Sequence, residues 1–321
     1  MIIDDLIEQI RKKNNPSVIG LDTHLDYLPV EMRAGIAREL PMRTIPPFGG
    51  WQVVIDKDRL KNAIWTYNKQ IIDAIYDIVP AIKVQLAYYE MYGVEGIQAL
   101  SQTIQYAKEK DLIVIVDGKR NDIGATATCY ANAYLGKTNI NELEYKVFDG
   151  DFLTVNAYLG SDGIRPFLKC MEEEKKGIFV LVKTSNLSSG ELQDLRLENQ
   201  LTVYEYMGQM VEKWGGNFIG QYGYSSVGAV VGATYPKQAA TLRQQMQHTF
   251  FLIPGYGAQG GKATDIQTCF DKNGLGGIVN SSRGILCAYQ QEEYIGKSFD
   301  IAAREACIAM QKDLTSVIKI K

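Results

Sequence analysis

The chain reads as an α/β protein of a single domain, a (β/α)8 TIM barrel with an insertion around 41–52, and three observations predict this. Eight short apolar runs alternate with helical segments along 321 residues, the rhythm of a parallel sheet whose strands are joined by helices. Neither an internal repeat nor a linker long enough to split the chain interrupts that rhythm. Charged residues stand at the ends of several runs, where parallel-stranded folds build their sites. A doubly wound open sheet is the alternative, since periodicity does not show closure. Against it, no G-x-G-x-x-G follows the first run.

In order, a helix is expected over 3–13 and a first strand over 17–22, ending on Asp22. Residues 31–39 look helical. Pro41, Pro46 and Pro47, with paired glycines, then break the pattern, and 41–52 reads as the insertion. A long helix over about 58–76 leads to a second strand, 81–85, which contains Lys83. A helix near 94–110 returns the chain to the third strand. The fourth and fifth strands fall at 152–156 and 177–183, with a helix near 163–173 between them, and a Ser/Asn/Gly cluster at 184–190 is a loop. Helices near 203–214 and 236–246 flank a sixth strand at 226–232. The seventh and eighth strands fall at 249–253 and 276–280, and a last helix covers about 300–313.

The third strand organises the rest. In LIVIVDGKRNDIGATATCYANAYLG, from Leu112 to Gly136, a β-branched run ended by Asp-Gly precedes an Ala-rich helix. Asp117, Lys119 and Asp122 sit at the junction. If strand conformation persists to Lys119, the two-residue period puts Asp117 and Lys119 on one side of the chain. Aspartates also open turns and cap helices, but that use leaves Lys119 and Arg120 without a role.

Lys plus Arg total 34 against 37 Asp plus Glu, a net charge of -3, so no global basic field is available to hold nucleic acid or an anionic membrane. The first residues are acidic and amphipathic, unlike a secretory signal, and no run reaches the length of a membrane span. Five cysteines lie far apart, with no C-x-x-C pair. The expectation is a cytoplasmic protein with reduced thiols.

Asp22, Lys83, Asp117 and Lys119 converge on one mouth if the barrel is right, with Asp122 just beyond. Alternating charges offset one another's desolvation there. Two loops point to phosphate. Pro254 to Gly261 is glycine-rich, so its backbone N–H groups can approach an anion. Asn280 to Gly284 brings Arg283, a bidentate phosphate donor, to the start of a short helix. Loops after the seventh and eighth strands are the usual phosphate site of this barrel.

The spacing D-x-K-x-x-D-I-x-x-T, here Asp117, Lys119, Asp122, Ile123 and Thr126, resembles the signature of the orotidine 5'-phosphate decarboxylase family. VKTSNxSSGxLQDL, here Val182 to Leu195, and PGxGAQGG, here Pro254 to Gly261, extend the resemblance over nearly the whole chain, closest to the longer bacterial type (type 2). The resemblance implies loss of CO2 from orotidine 5'-phosphate to give uridine 5'-phosphate in pyrimidine biosynthesis, without cofactor or metal. It implies Lys119 as proton donor to C6, with Asp117, Asp122, Lys83 and Asp22 as the charged network. Thr126, Ser185, Pro254, Gly257, Gln259 and Arg283 would contact the substrate, Ser185 at the pyrimidine and Gln259 and Arg283 at the phosphate. Asp122 and Thr126 would reach a partner subunit's site, which implies a homodimer. Two departures stand out: Thr23 follows Asp22 where the family often has proline, and Asn121 stands where glycine is usual. Neither removes a charged group.

Two rival readings remain. One is a magnesium-dependent sugar-phosphate decarboxylase or aldolase of the same barrel, which carries an acidic residue where this chain has Lys83. The other is a phosphate-ligand binding protein that does not catalyse. His24 shares the strand period with Asp22 but reads as a hydrogen-bonding or surface group rather than a base. Cys129 reads as a buried thiol in a small-residue helix rather than a nucleophile. The aspartates, with lysines between them, read as an ion-pair network rather than a metal site.

Overall fold

The computed structural model describes residues 1–41, 51–257 and 261–321. Most of the expected insertion, and Gln259, lie outside the described residues. Eight parallel strands close into a barrel in chain order: β1 (Ser17–Gly20), β2 (Ala81–Gln85), β3 (Ile113–Arg120), β4 (Phe152–Val155), β5 (Gly177–Lys183), β6 (Ser225–Val231), β7 (Thr249–Ile253) and β8 (Gly277–Ser281). The ring closes where β8 pairs with β1, through Val18↔Asn280 and Ile19↔Ser281. Closure removes the open-sheet alternative.

Both faces of these strands are covered, which is why the sequence shows continuous apolar runs rather than alternation. The inward set includes Val18, Ile115, Phe152, Phe179, Phe250 and Ile278. Gly177 leaves room for the Phe152 ring, which an added Cβ would meet at 2.3 Å. Helix α1 (Ile2–Lys13) lays Ile3, Leu6, Ile7 and Ile10 against this inner core and stoppers the amino end of the barrel. The outward faces pack under α2 (Lys57–Ile75), α3 (Gly93–Glu109), α4 (Gly124–Tyr134), α5 (Ser161–Glu174), α6 (Val203–Gly215), α7 (Pro236–Gln245) and α8 (Phe299–Val317). With α1 across the amino end, the cavity among the described residues lies at the carboxyl ends of the strands.

Residues 31–39 correct the expectation of a helix. Only Val30–Arg33 is helical; Gly35, at φ +75°, ends the turn, and Ala37–Pro41 pairs antiparallel with Trp51–Ile55. Pro41, Trp51 and Gln52, expected in the insertion, are therefore strand residues of this pair. A second hairpin, Thr138–Ile140 with Leu143–Tyr145, was not expected. Asn141 and Glu142 take positive φ at its tip, as a two-residue turn requires, but three-residue strands are too short to show a period. Among the described residues no helix is long and apolar enough to cross a membrane.

Candidate active site

Strand β3 builds the centre of the site by leaving regular geometry at its end. Its pairing with β4 is regular to Val116↔Leu153 and then jumps to Arg120↔Val155, so three residues on β3 face one on β4. Lys119 lies in this bulge at φ +48°, a left-handed conformation that costs a non-glycine residue about 1–2 kcal/mol. Its backbone N–H donates to Thr154 Oγ1 at 2.9 Å, which holds the bulge to β4. Asp117 and Lys119 do share a side, as expected: Lys119 Nζ stands 2.6 Å from Asp117 Oδ1.

From Asp117 the network runs across the mouth. Its Oδ1 also accepts from Thr154 Oγ1 at 2.7 Å, and its Oδ2 accepts from Gln85 Nε2 at 2.9 Å. Lys83 Nζ sits between two carboxylates, 3.1 Å from Asp117 Oδ2 and 3.1 Å from Asp22 Oδ1. Burial by itself would raise the Asp117 pKa, but the charges of Lys83 and Lys119 and the hydrogen bonds from Lys119 and Thr154 outweigh it. The carboxyl is held well below the usual range and stays ionised. Burial would likewise lower the Lys83 pKa, and Asp22 and Asp117 raise it above the ordinary lysine value. Lys83 is 5% exposed and Lys119 45% exposed, so Lys119 is the ammonium that reaches open space.

That space is a cavity of about 620 Å³ at the carboxyl mouth of the barrel, a volume suited to a small organic ligand. Asp22, Lys83, Asp117 and Lys119 line it together, and Ser185, Pro254 and Arg283 complete its walls. Ser281 closes β8, and Arg283 opens a short helix, Arg283–Leu286, as its loop position suggested. Gly257, at φ +70°, is exposed, and its neighbours Gly255 and Tyr256 line the cavity instead.

Asp122 and Thr126 are not among the described residues that line the cavity. Asp122 Oδ1 accepts from the N–H of Ile123 at 2.8 Å, and Thr126 is exposed on α4. His24 behaves as read: its Nδ1 accepts from the N–H of Asp26 at 3.2 Å and caps a short turn. Cys129 corrects the expectation of a buried thiol, because it is exposed on the outer side of α4. The helix packs through Ala127 and Ala131, and Cys129, two residues from each, falls on its opposite side.

Sequence reasoning missed Gln85 and Thr154. Gln85 follows Lys83 at the strand period, so the signal was present. Thr154 was a single polar residue inside an apolar run, with nothing to mark the bulge it would hold. Tyr27 and Tyr88 also line the cavity; both come from segments outside the barrel strands, with no pattern to mark them.

Comparison with known proteins points to one family. Residues 52–297 match the family described as orotidine 5'-phosphate decarboxylase / HUMPS. Orotidine 5'-phosphate decarboxylase of Caldicellulosiruptor saccharolyticus is 40% identical over 316 residues, 98% of either chain. That of Clostridium kluyveri is 39% identical over 321 residues, 100% of this chain and 99% of the relative. The structure of Leishmania donovani OMP decarboxylase superposes with a TM-score of 0.69 at 26% identity, covering 98% of each chain. With this sequence likeness running end to end and the charged network standing at the mouth of a closed barrel, the chain belongs to the orotidine 5'-phosphate decarboxylase / HUMPS family.

Proposed function

We propose that the reaction of this chain, loss of CO2 from orotidine 5'-phosphate to give uridine 5'-phosphate in pyrimidine biosynthesis, runs through Lys119 as the proton donor to C6. The activity follows from the family and from relatives 40% identical over 98% of the chain. One observation carries the residue assignment: Lys119 is the ammonium of the network that is open to the cavity, and an ionised Asp117 holds it at 2.6 Å. Decarboxylation leaves a carbanion-like centre at C6. A positioned ammonium stabilises the developing charge and then delivers a proton. Asp117 stays ionised, so it orients Lys119 rather than taking its proton. Lys83 and Asp22 keep that carboxylate in place.

Ser185 and Pro254 then bound the pyrimidine, while Arg283, with Gln259 and the backbone about Gly257, takes the phosphate. Asp122 and Thr126 stand apart from the cavity of their own chain, which supports a homodimer in which they complete the partner's site. The chain reads as one domain in the cytoplasm, with no nucleic acid or membrane as partner. The magnesium-dependent reading is less favoured, because the Lys83 ammonium already fills the place between Asp22 and Asp117. Turnover of orotidine 5'-phosphate that survives a chelator separates the rivals: loss with the chelator restores the metal reading, and binding without turnover restores the non-catalytic one. Mixing Lys119→Ala with Asp122→Ala tests the dimer, since a mixed pair carries one intact site. Subunit exchange with no return of activity places Asp122 within its own chain's site.

A further inference from the structure

Strand β5 ends on a buried lysine that this chemistry leaves unused. Alternation groups Lys183 with Phe179 and Leu181, which face the inner core, so a regular strand would send a third ammonium into the mouth. The pairing of β5 with β6 slips instead, from Val230↔Leu181 to Val231↔Lys183. The extra residue turns Lys183 outward, to the side on which Val231 packs in the outer core. Its side chain is 0% exposed. The ammonium lies 4.6 Å from the centre of the Tyr235 ring and 5.5 Å from that of Tyr204. Asp194 Oδ1 accepts from it at 2.8 Å and Ser189 Oγ at 3.2 Å.

Burying an ammonium is costly unless its donors are satisfied, and the groups that accept from it here belong to one loop, residues 184–195. Asp194 and Ser189 belong to it. Tyr235 donates its hydroxyl to the carbonyl of Asn186 at 3.1 Å. Gln193 closes the loop on itself: its Oε1 accepts from the N–H of Thr184 at 3.0 Å and its amide donates to Thr184 Oγ1 at 2.8 Å. The loop also presses on the residue that follows β6, since a Cβ at Gly232 would come within 2.8 Å of the Ser185 backbone. What this arrangement presents to the cavity is Thr184, Ser185 and Asn186.

We propose that Lys183 is a positioning residue: from outside the barrel its ammonium gathers the 184–195 loop and sets Ser185 and Asn186 against the base half of the nucleotide. The proposal rests on the reading that Ser185 meets the pyrimidine. The loop is separate in sequence from Arg283, so the effect is confined to ligands that carry a base.

Lys183→Met in the full chain, checked for fold by thermal melting, is titrated calorimetrically with uridine 5'-phosphate and with ribose 5-phosphate. The expected result is a loss of tenfold or more in affinity for the nucleotide and less than twofold for the sugar phosphate. Equal losses on both, or no loss on either, overturn the proposal. Asp194→Asn keeps the lysine and carries the same test, with the same selective pattern expected, if Lys183→Met does not fold. Ser185→Ala examines the underlying reading. A selective loss there without one in Lys183→Met overturns the proposal and leaves the reading intact, whereas no selective loss in Ser185→Ala overturns both.

Discussion

Opposite ends of the barrel carry the same kind of charged cluster and use it differently. At the carboxyl end, Lys83 lies 3.1 Å from Asp22 and from Asp117. At the amino end, Lys176 lies 3.0 Å from Asp149 and from Asp151. Both lysines are nearly buried, and each has two carboxylates to offset its desolvation. The remaining polar atoms separate the two ends. Asp151 accepts the backbone N–H of Val114 at 2.9 Å, and Lys108 donates to the carbonyl of Asp149 at 2.7 Å, so this cluster stitches the start of β3 to the start of β4. At the mouth the chain of charges ends on Lys119, which faces a cavity. A buried ion-pair cluster therefore does not identify a site; an ammonium held in place and open to ligand does.

The largest test of that comparison is Lys119→Ala. Removing the open ammonium should lower kcat by about 10⁴-fold, the upper range for a general acid, while the melting temperature stays close to the parent's because the side chain is half exposed. Substantial residual turnover would remove Lys119 from the donor role and make the two clusters alike.

At the amino end the sign reverses. Lys176→Met leaves the buried Asp151 and the half-buried Asp149 short of a partner and should cost about 3 kcal/mol of stability, read from denaturant unfolding, with kcat/KM for orotidine 5'-phosphate unchanged. A loss of activity without a loss of stability would place this cluster in the chemistry.

Arg283→Ala touches the cavity but not the network. Its loss should lower kcat/KM for orotidine 5'-phosphate by roughly 2 to 4 kcal/mol, the scale of a desolvated charged hydrogen bond, through remote binding energy that serves the transition state. A truncated substrate without the phosphate should be affected little. Equal losses on both substrates mean that Arg283 supports the network itself.

The smallest effect concerns acid. Burial raises the Asp149 pKa, but hydrogen bonds from Lys108 and Lys176 bring it from the usual 3.8 down to about 2. A carboxylate depressed on folding stabilises the protein above its unfolded value, and that contribution fades as pH falls through its folded one. Stability should therefore drop between about pH 4 and pH 2, and Asp149→Asn should remove on the order of 1 kcal/mol of that drop after allowance for screening. An unaltered acid-unfolding curve in the variant would show that another group governs this window.

Much of the fold was legible because a closed parallel barrel buries both faces of each strand. Continuous apolar runs such as 113–116 and 249–253 then have no other good use, and Gly, Pro and Asp between them mark where pairing stops. The hairpin at Ala37–Pro41 and Trp51–Ile55 was not legible, because its pairing joins segments separated by the insertion and the described side chains of its arms, 37–39 and 52–55, are exposed.

For the site, the sequence by itself determined which ionisable residues stand at the strand ends: Asp22, Lys83, Asp117, Lys119 and, on β5, Lys183. Only the tertiary structure decided where each one points. Lys119 enters the cavity through a bulge against β4, at a backbone angle a regular strand does not have, and Lys183 leaves the barrel through a slip against β6. A regular strand would point both lysines to the inner face, and only Lys119 points there. A bulge is set by how many residues of one strand oppose those of its neighbour, and that count depends on a partner strand distant in sequence. Facing is therefore a property of the pair of strands, and it is not written in either strand alone.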